Sequence, residues 1–181
     1  MTKYNFKVLL LGAPAVGKTS ILHRFVKNLF SYDYITSIGI NYLTKEIKLE
    51  PKNIAKLVIW DIAGQEKFKF LRKEFYSGAN GALVIFDLTR LNTYEAIDDW
   101  LSEMFEILKK DIPIVIIGNK LDLIKEISRP IDGDVIKNYA EKKNSIFIET
   151  SAKTGENVEN AFNELAHLMI NYTSKRKRKS I

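Results

Sequence analysis

Phe6-Lys7-Val8-Leu9-Leu10-Leu11-Gly12-Ala13-Pro14-Ala15-Val16-Gly17-Lys18-Thr19, followed by Ser20-Ile21-Leu22-His23-Arg24-Phe25, is the stretch that decides the fold. An apolar run is followed by GxxxxGK[ST] and then by a helical pattern, the arrangement of a phosphate-binding loop between a strand and a helix. Such a loop turns backbone N–H groups inward, and the helix N-terminus adds positive partial charge. Lys18 is expected to reach the outer phosphates, and the Thr19 hydroxyl to ligate Mg²⁺. A glycine-containing turn that merely opens a helix is the plainer alternative.

Working outward, short apolar runs alternate with amphipathic stretches. The runs are Phe6 to Leu11, Ile54 to Trp60, Ala82 to Phe86, Ile112 to Ile117 and Ile146 to Ile148, lengths that suit strands buried on both faces. Between them, Ala96, Trp100, Met104, Ile107 and Leu108, and later Val158, Phe162, Leu165 and Met169, recur at helical spacing. One segment breaks the alternation. Ile38 to Leu49 and Ile54 to Trp60 are joined by only Glu50-Pro51-Lys52-Asn53, too short for a parallel crossover. The expected fold is α/β: a doubly wound mixed sheet of six strands with one antiparallel edge strand and helices on both faces.

Bulk properties fit one domain. The chain has 181 residues, enough to bury roughly 70% of its unfolded surface without a staple. It has no cysteine, which excludes disulfides, thiol nucleophiles, cysteine zinc sites and prenylation of this sequence. Of the 28 basic residues, five lie at Lys175-Arg176-Lys177-Arg178-Lys179, and without them 23 bases face 22 acids. The net charge of +6 therefore reflects a tail, not a nucleic-acid-binding face. The expected division is a folded domain over 1–173 and a basic disordered tail over 174–181. No run approaches the ~20 apolar residues of a membrane span, and the expected location is cytoplasmic. His23 and His167 lie on helical patterns and carry no catalytic expectation.

Three further motifs follow apolar runs. Asn119-Lys120-Leu121-Asp122 offers a carboxylate able to accept from N1–H and the 2-amino group of guanine, a donor pair that adenine lacks. Lys120 can lay its stem along the ring, and Asn119 can tie loops together. The alternative is a turn capped by Asn and Asp. Glu149-Thr150-Ser151-Ala152-Lys153 places the Ala152 N–H to suit guanine O6, although a plain helix cap reads equally well. Asp61-Ile62-Ala63-Gly64-Gln65-Glu66 closes the hairpin, where Asp61 could hold Mg²⁺ through water, the Gly64 N–H sense a γ-phosphate and Gln65 orient the attacking water. Alone, DxxG means little; an Asp capping the next helix is the ordinary reading.

In order and spacing, GxxxxGKT, DxxGQE, NKxD and SAK resemble the small GTPases of the Ras superfamily over about residues 5 to 172. Ser37-Ile38-Gly39-Ile40-Asn41-Tyr42, Lys56 to Asp61 and Phe75-Tyr76-Ser77-Gly78-Ala79 are most similar to the Rab branch. The resemblance implies a GTP-binding switch that hydrolyses GTP slowly to GDP and phosphate with Mg²⁺ as cofactor. It gives Lys18 and Gln65 catalytic roles and assigns nucleotide contacts to Gly12, Ala15, Val16, Gly17, Lys18, Thr19, Ser20, Phe30, Tyr34, Ser37, Gly64, Asn119, Lys120, Asp122, Ser151, Ala152 and Lys153. Thr19, Ser37 and, through water, Asp61 are the metal residues. Phe30 would pack on guanine, Tyr34 would cover the phosphates, and Tyr42, Trp60 and Tyr76 would form an aromatic group read by effectors. The implied partners are effector, exchange-factor and GTPase-activating proteins acting on a monomer, with no nucleic acid.

Three departures stand out. Ser37 occupies the switch position where the family has Thr, with Thr36 one place earlier; serine keeps the hydroxyl and loses the β-branched restriction. Pro14 and Ala15 fill loop positions where many relatives have Gly, and Pro14 removes an N–H near where an arginine finger enters. Rab relatives usually end in prenylated cysteines, whereas this sequence ends Lys175-Arg176-Lys177-Arg178-Lys179-Ser180-Ile181, a basic cluster suited to weak, salt-sensitive contact with an anionic membrane surface. The alternative function is a nucleotide-stabilised binding module with little or no GTP turnover.

Overall fold

The computed structural model describes residues 2–30, 40–49, 53–64, 69–124 and 126–179. Strand β1 (Thr2–Leu11) leads into helix α1 (Lys18–Lys27), then strands β2 (Ile40–Leu49) and β3 (Asn53–Ile62). Helix α2 (Lys69–Tyr76), strand β4 (Gly81–Asp87), helices α3 (Leu91–Glu95) and α4 (Ile97–Leu108) and strand β5 (Ile114–Asn119) follow. A 3₁₀ turn at Leu121–Leu123, helix α5 (Gly133–Lys142), strand β6 (Ile146–Glu149) and helix α6 (Val158–Lys179) complete the order.

The six strands lie in the order β2-β3-β1-β4-β5-β6. Only β2 runs antiparallel, pairing Ile40 with Ile62 through to Leu49 with Asn53 at the sheet edge. This is the expected mixed sheet. Alternation of side chains across each strand explains the two cores. In β1, Val8 and Leu10 join α1 and α6 residues such as Phe25 and Phe162 on one face. Leu9 and Leu11 join Tyr76, Trp100, Met104 and Ile136 from α2, α4 and α5 on the other. Central strands β4 and β5 are buried at every position, whereas edge strand β2 alternates between exposed and covered residues, as an antiparallel strand with one wet face does.

Connections from β1 proceed first toward β3 and later, across β1, toward β4. Loops at the carboxyl ends of these strands therefore open at a topological switch point, the usual ligand crevice of such sheets. The loops after β1, β3, β4, β5 and β6 all converge there.

At the far end, α6 continues to Lys179, past residue 173, where the sequence reading ends the folded domain. Lys and Arg are strong helix formers, and cations near a helix C-terminus complement its dipole. No helix among the described residues is long and apolar enough to cross a membrane.

Candidate functional site

The phosphate loop follows β1 directly, and its backbone is bent by left-handed residues. Ala15 sits at φ 63° and Gly17 at φ 99°. Gly17 tolerates no side chain for a second reason: a Cβ there would lie 2.3 Å from Asn119 Nδ2. That contact places β5's loop against the phosphate loop. Lys18 is 7% exposed, and its ammonium donates to the carbonyls of Gly12 at 2.8 Å and Ala13 at 3.0 Å, arching over the loop. Burial, the largest influence, lowers the Lys18 pKa to about 8; the Asp61 carboxylate works against this, and Arg72 and Arg90 add to it. An ammonium held with so little water is poised for an anion. The side chain of Thr19, on the first turn of α1, donates to Asp61 Oδ2 at 2.5 Å. The two residues read as metal-binding thus meet across the gap between α1 and β3. Gly64 packs against the same loop: a Cβ on it would lie 2.6 Å from the Gly12 carbonyl oxygen.

Asn119 links the remaining motifs. It is 1% exposed, and its Nδ2 donates to the Val16 carbonyl at 2.8 Å. Its Oδ1 accepts from the Thr150 hydroxyl at 3.1 Å and the Ala152 N–H at 3.2 Å. One amide thereby bridges the phosphate loop and the SAK segment, the tying role the sequence suggests. The Ala152 N–H, read as a donor for guanine O6, is here turned to Asn119. The Ser151 hydroxyl donates to Asp122 Oδ1 at 2.5 Å and accepts the Thr154 N–H at 3.1 Å, so the NKxD and SAK segments are joined a second time. Lys120, at φ 70°, extends its ammonium to Asp87 at 2.7 Å. Ser20 is half-buried on α1, and Phe30, beyond the helix C-terminus, packs partly buried on the α1–α6 core. Tyr34, Ser37 and Gln65 lie outside the described residues.

Several positioning residues carry no signal in the sequence. Arg24, two turns into α1, donates from Nε to the Ala152 carbonyl at 2.9 Å and from Nη2 to the Lys153 carbonyl at 2.6 Å. Arg129 forms a paired contact with Glu149 at 2.6 and 3.0 Å, bracing the strand end that launches the SAK segment. Asp87, at the end of β4, is 1% exposed and gathers Lys120 and Arg90.

The aromatic group differs from the expectation in one member. Tyr42 is 57% exposed and stacks on Trp60 at 5.2 Å between ring centroids, and Trp60 meets Phe75 at 5.7 Å. Tyr76 is fully buried, with its hydroxyl donating to Glu103 at 2.8 Å. Neighbouring residues on a helix point about 100° apart, so if Phe75 faces the surface group its successor faces the core.

The profile of the Ras family matches residues 7–171. The chain belongs to the Ras family. Among its relatives is the Ras-related protein RABA4b of Arabidopsis thaliana, 42% identical over 173 residues, which cover 96% of this chain and 76% of that one. Another is the Ras-related protein Rab11B of Nicotiana tabacum, 41% identical over 162 residues, covering 90% and 73%. The Ras-related protein Rab11A of Lotus japonicus is 39% identical over 173 residues, covering 96% and 75%. This Ras-family protein is accordingly a Rab-like small GTPase that binds GTP and GDP with Mg²⁺ and hydrolyses GTP. The residues fit that ion: Mg²⁺ takes hard oxygen ligands, one or two from protein and the rest from phosphates and water. The Thr19 hydroxyl and Asp61 carboxylate supply such oxygens side by side.

Proposed function

We propose that the protein is a nucleotide-driven switch of the Rab type, acting in membrane traffic through partners that distinguish its GTP and GDP states. The observation that carries this reading is the joining of the phosphate loop to both base-reading segments through Asn119, beside an aromatic group in which exposed Tyr42 stacks on half-buried Trp60 and Trp60 meets half-buried Phe75. The likeness to Rab11 and RABA proteins supports the traffic assignment.

In this reading Lys18 and the N–H groups of the loop from Gly12 to Ser20 hold the phosphates. Thr19 and Ser37 ligate Mg²⁺, with Asp61 acting through water. Mg²⁺ when bound neutralises charge developing between the β- and γ-phosphates. Asp122 selects guanine, Lys120 and Phe30 flank the ring, and Ser151, Ala152 and Lys153 close its edge. Tyr34 covers the phosphates. The Gly64 N–H senses the γ-phosphate, and Gln65 orients the attacking water without needing to be a strong base. Positioning and electrostatics carry the reaction, since phosphoryl transfer asks little covalent chemistry of the protein.

The test is to load the purified protein with GTP and Mg²⁺ and follow bound nucleotide by chromatography beside Gln65→Leu. Conversion to GDP in the wild type, strongly slowed in the variant, is the expected result. Tight GTP binding without conversion in either protein would instead support a non-cycling binding module.

A further inference from the structure

Ala15 is in the left-handed region at φ 63°. A residue with a Cβ stays there only where its surroundings over-determine the conformation. The residue before it, Pro14, has no N–H with which to anchor the loop. Its carbonyl, however, accepts a hydrogen bond from Arg90 Nη2 at 3.0 Å. A trans peptide is planar, with its C=O and N–H pointing in opposite directions. A Pro14 carbonyl turned to Arg90 therefore turns the Ala15 N–H away from Arg90.

Arg90 is itself held. Its Nε donates to Asp87 Oδ2 at 2.9 Å, and the same oxygen receives the Lys120 ammonium at 2.7 Å. The other oxygen accepts from the backbone N–H of Thr89 at 2.9 Å and its hydroxyl at 2.7 Å. Burial alone would raise the Asp87 pKa, but hydrogen bonds from Lys120 and Thr89 outweigh it and hold the carboxyl below its ordinary range. Asp87 is thus a fixed anion joining the base-reading Lys120 to a guanidinium whose other arm grips the phosphate loop. A planar guanidinium fork holds Nε and Nη2 at a fixed spacing that matches these two partners, whereas a lysine ammonium is a flexible point charge with no such fixed spacing.

We propose that Arg90 is a positioning residue for the phosphate-binding loop: clamped by Asp87, it fixes the Pro14–Ala15 peptide with the Ala15 N–H turned toward the nucleotide, and so sets nucleotide residence time. The inference rests on the loop being the nucleotide site.

The experiment measures release of a fluorescent GDP analogue into excess GDP, with Mg²⁺, from wild type, Arg90→Ala, Arg90→Lys, Ala15→Gly and the double variant Ala15→Gly/Arg90→Ala. Arg90→Ala should release roughly tenfold faster, the size of one charge-assisted hydrogen bond. Arg90→Lys should remain fast, because it keeps the charge and loses the fork. Ala15→Gly removes the strain that Arg90 holds in check, so Arg90→Ala should do less in that background, a non-additivity that general destabilisation would not produce. Release within twofold of wild type, full rescue by Lys, or strictly additive effects would each overturn the role given to Arg90. Failure of the wild type to bind the analogue at all would instead overturn the site assignment beneath it.

Discussion

Replacing Asn119 with Ala tests the architecture of the site most directly. The side chain is 1% exposed, and its loss strips three buried groups of a partner: the Val16 carbonyl, the Thr150 hydroxyl and the Ala152 N–H. Val16 and Thr150 are 0% exposed and Ala152 3%, so solvent cannot simply replace the amide. Each buried polar group left unpaired costs about 1–3 kcal/mol. The three share one small space, and relaxation there lowers the sum, giving about 3–5 kcal/mol for the set. In a domain of this size each kcal/mol moves Tm by about 2–4 °C, so a fall of about 10 °C is expected. Thermal unfolding followed by circular dichroism, with GDP in excess, reads this shift. Release of a fluorescent GDP analogue from the same variant should also quicken markedly, because the phosphate and base loops lose their common tie. A Tm within 2 °C of wild type together with unchanged release would refute the reasoning.

Other perturbations follow from the same contacts. Burial holds the Lys18 pKa near 8 against an ordinary value of 10.5, so the folded, nucleotide-free protein bears a cost below pH 8 that fades as pH rises to 10.5. Wild type should accordingly gain on Lys18→Met across that window, by about 3 kcal/mol; equal pH profiles in denaturant melts would contradict this. Gly64→Ala drives a Cβ to 2.6–2.7 Å from the backbone of Gly12, Ala13 and Pro14, so one of the two loops must move. Its affinity for a fluorescent GTP analogue should drop about tenfold or more, and an unchanged titration would rule out that contact as a constraint. Glu103→Ala takes the carboxylate from Arg72, which is 2% exposed and stacked 4.2 Å over Trp100. A loss of about 3 kcal/mol is expected in urea unfolding, and a loss under 1 kcal/mol would show that the pair carries little.

Much of the fold was legible because burial imprints itself on the chain. Runs such as Ala82 to Phe86 have no polar face to offer, and the four residues between Leu49 and Ile54 leave room only for a hairpin. The nucleotide motifs were legible for a different reason: each sits at a strand end where backbone geometry and residue type must agree. The surrounding braces left no such mark. Arg24 looks like any exposed basic residue on an amphipathic helix, and Asp87 and Arg90 like an ordinary turn after a strand. Their partners lie 128 residues away at Ala152 and 76 residues away at Pro14, distances over which local pattern carries no information. The exchange of Tyr76 for Phe75 has a related origin. Both are aromatic and adjacent, and only the rotational phase of α2, set by its packing on α4, decides which one meets Trp60.

Helix α1 has a consequence that extends beyond its place in the core. Lys18 at its start touches the phosphate loop, and Arg24, about 9 Å further along the axis, holds the SAK carbonyls. The helix works as a caliper with one jaw on the phosphate loop and the other on the SAK segment. Any partner that levers α1 outward would open both jaws in a single movement, with no need to peel the ligand off one end at a time. Conversely, a design meant to loosen one end alone would first have to cut Arg24, leaving the caliper with a single jaw.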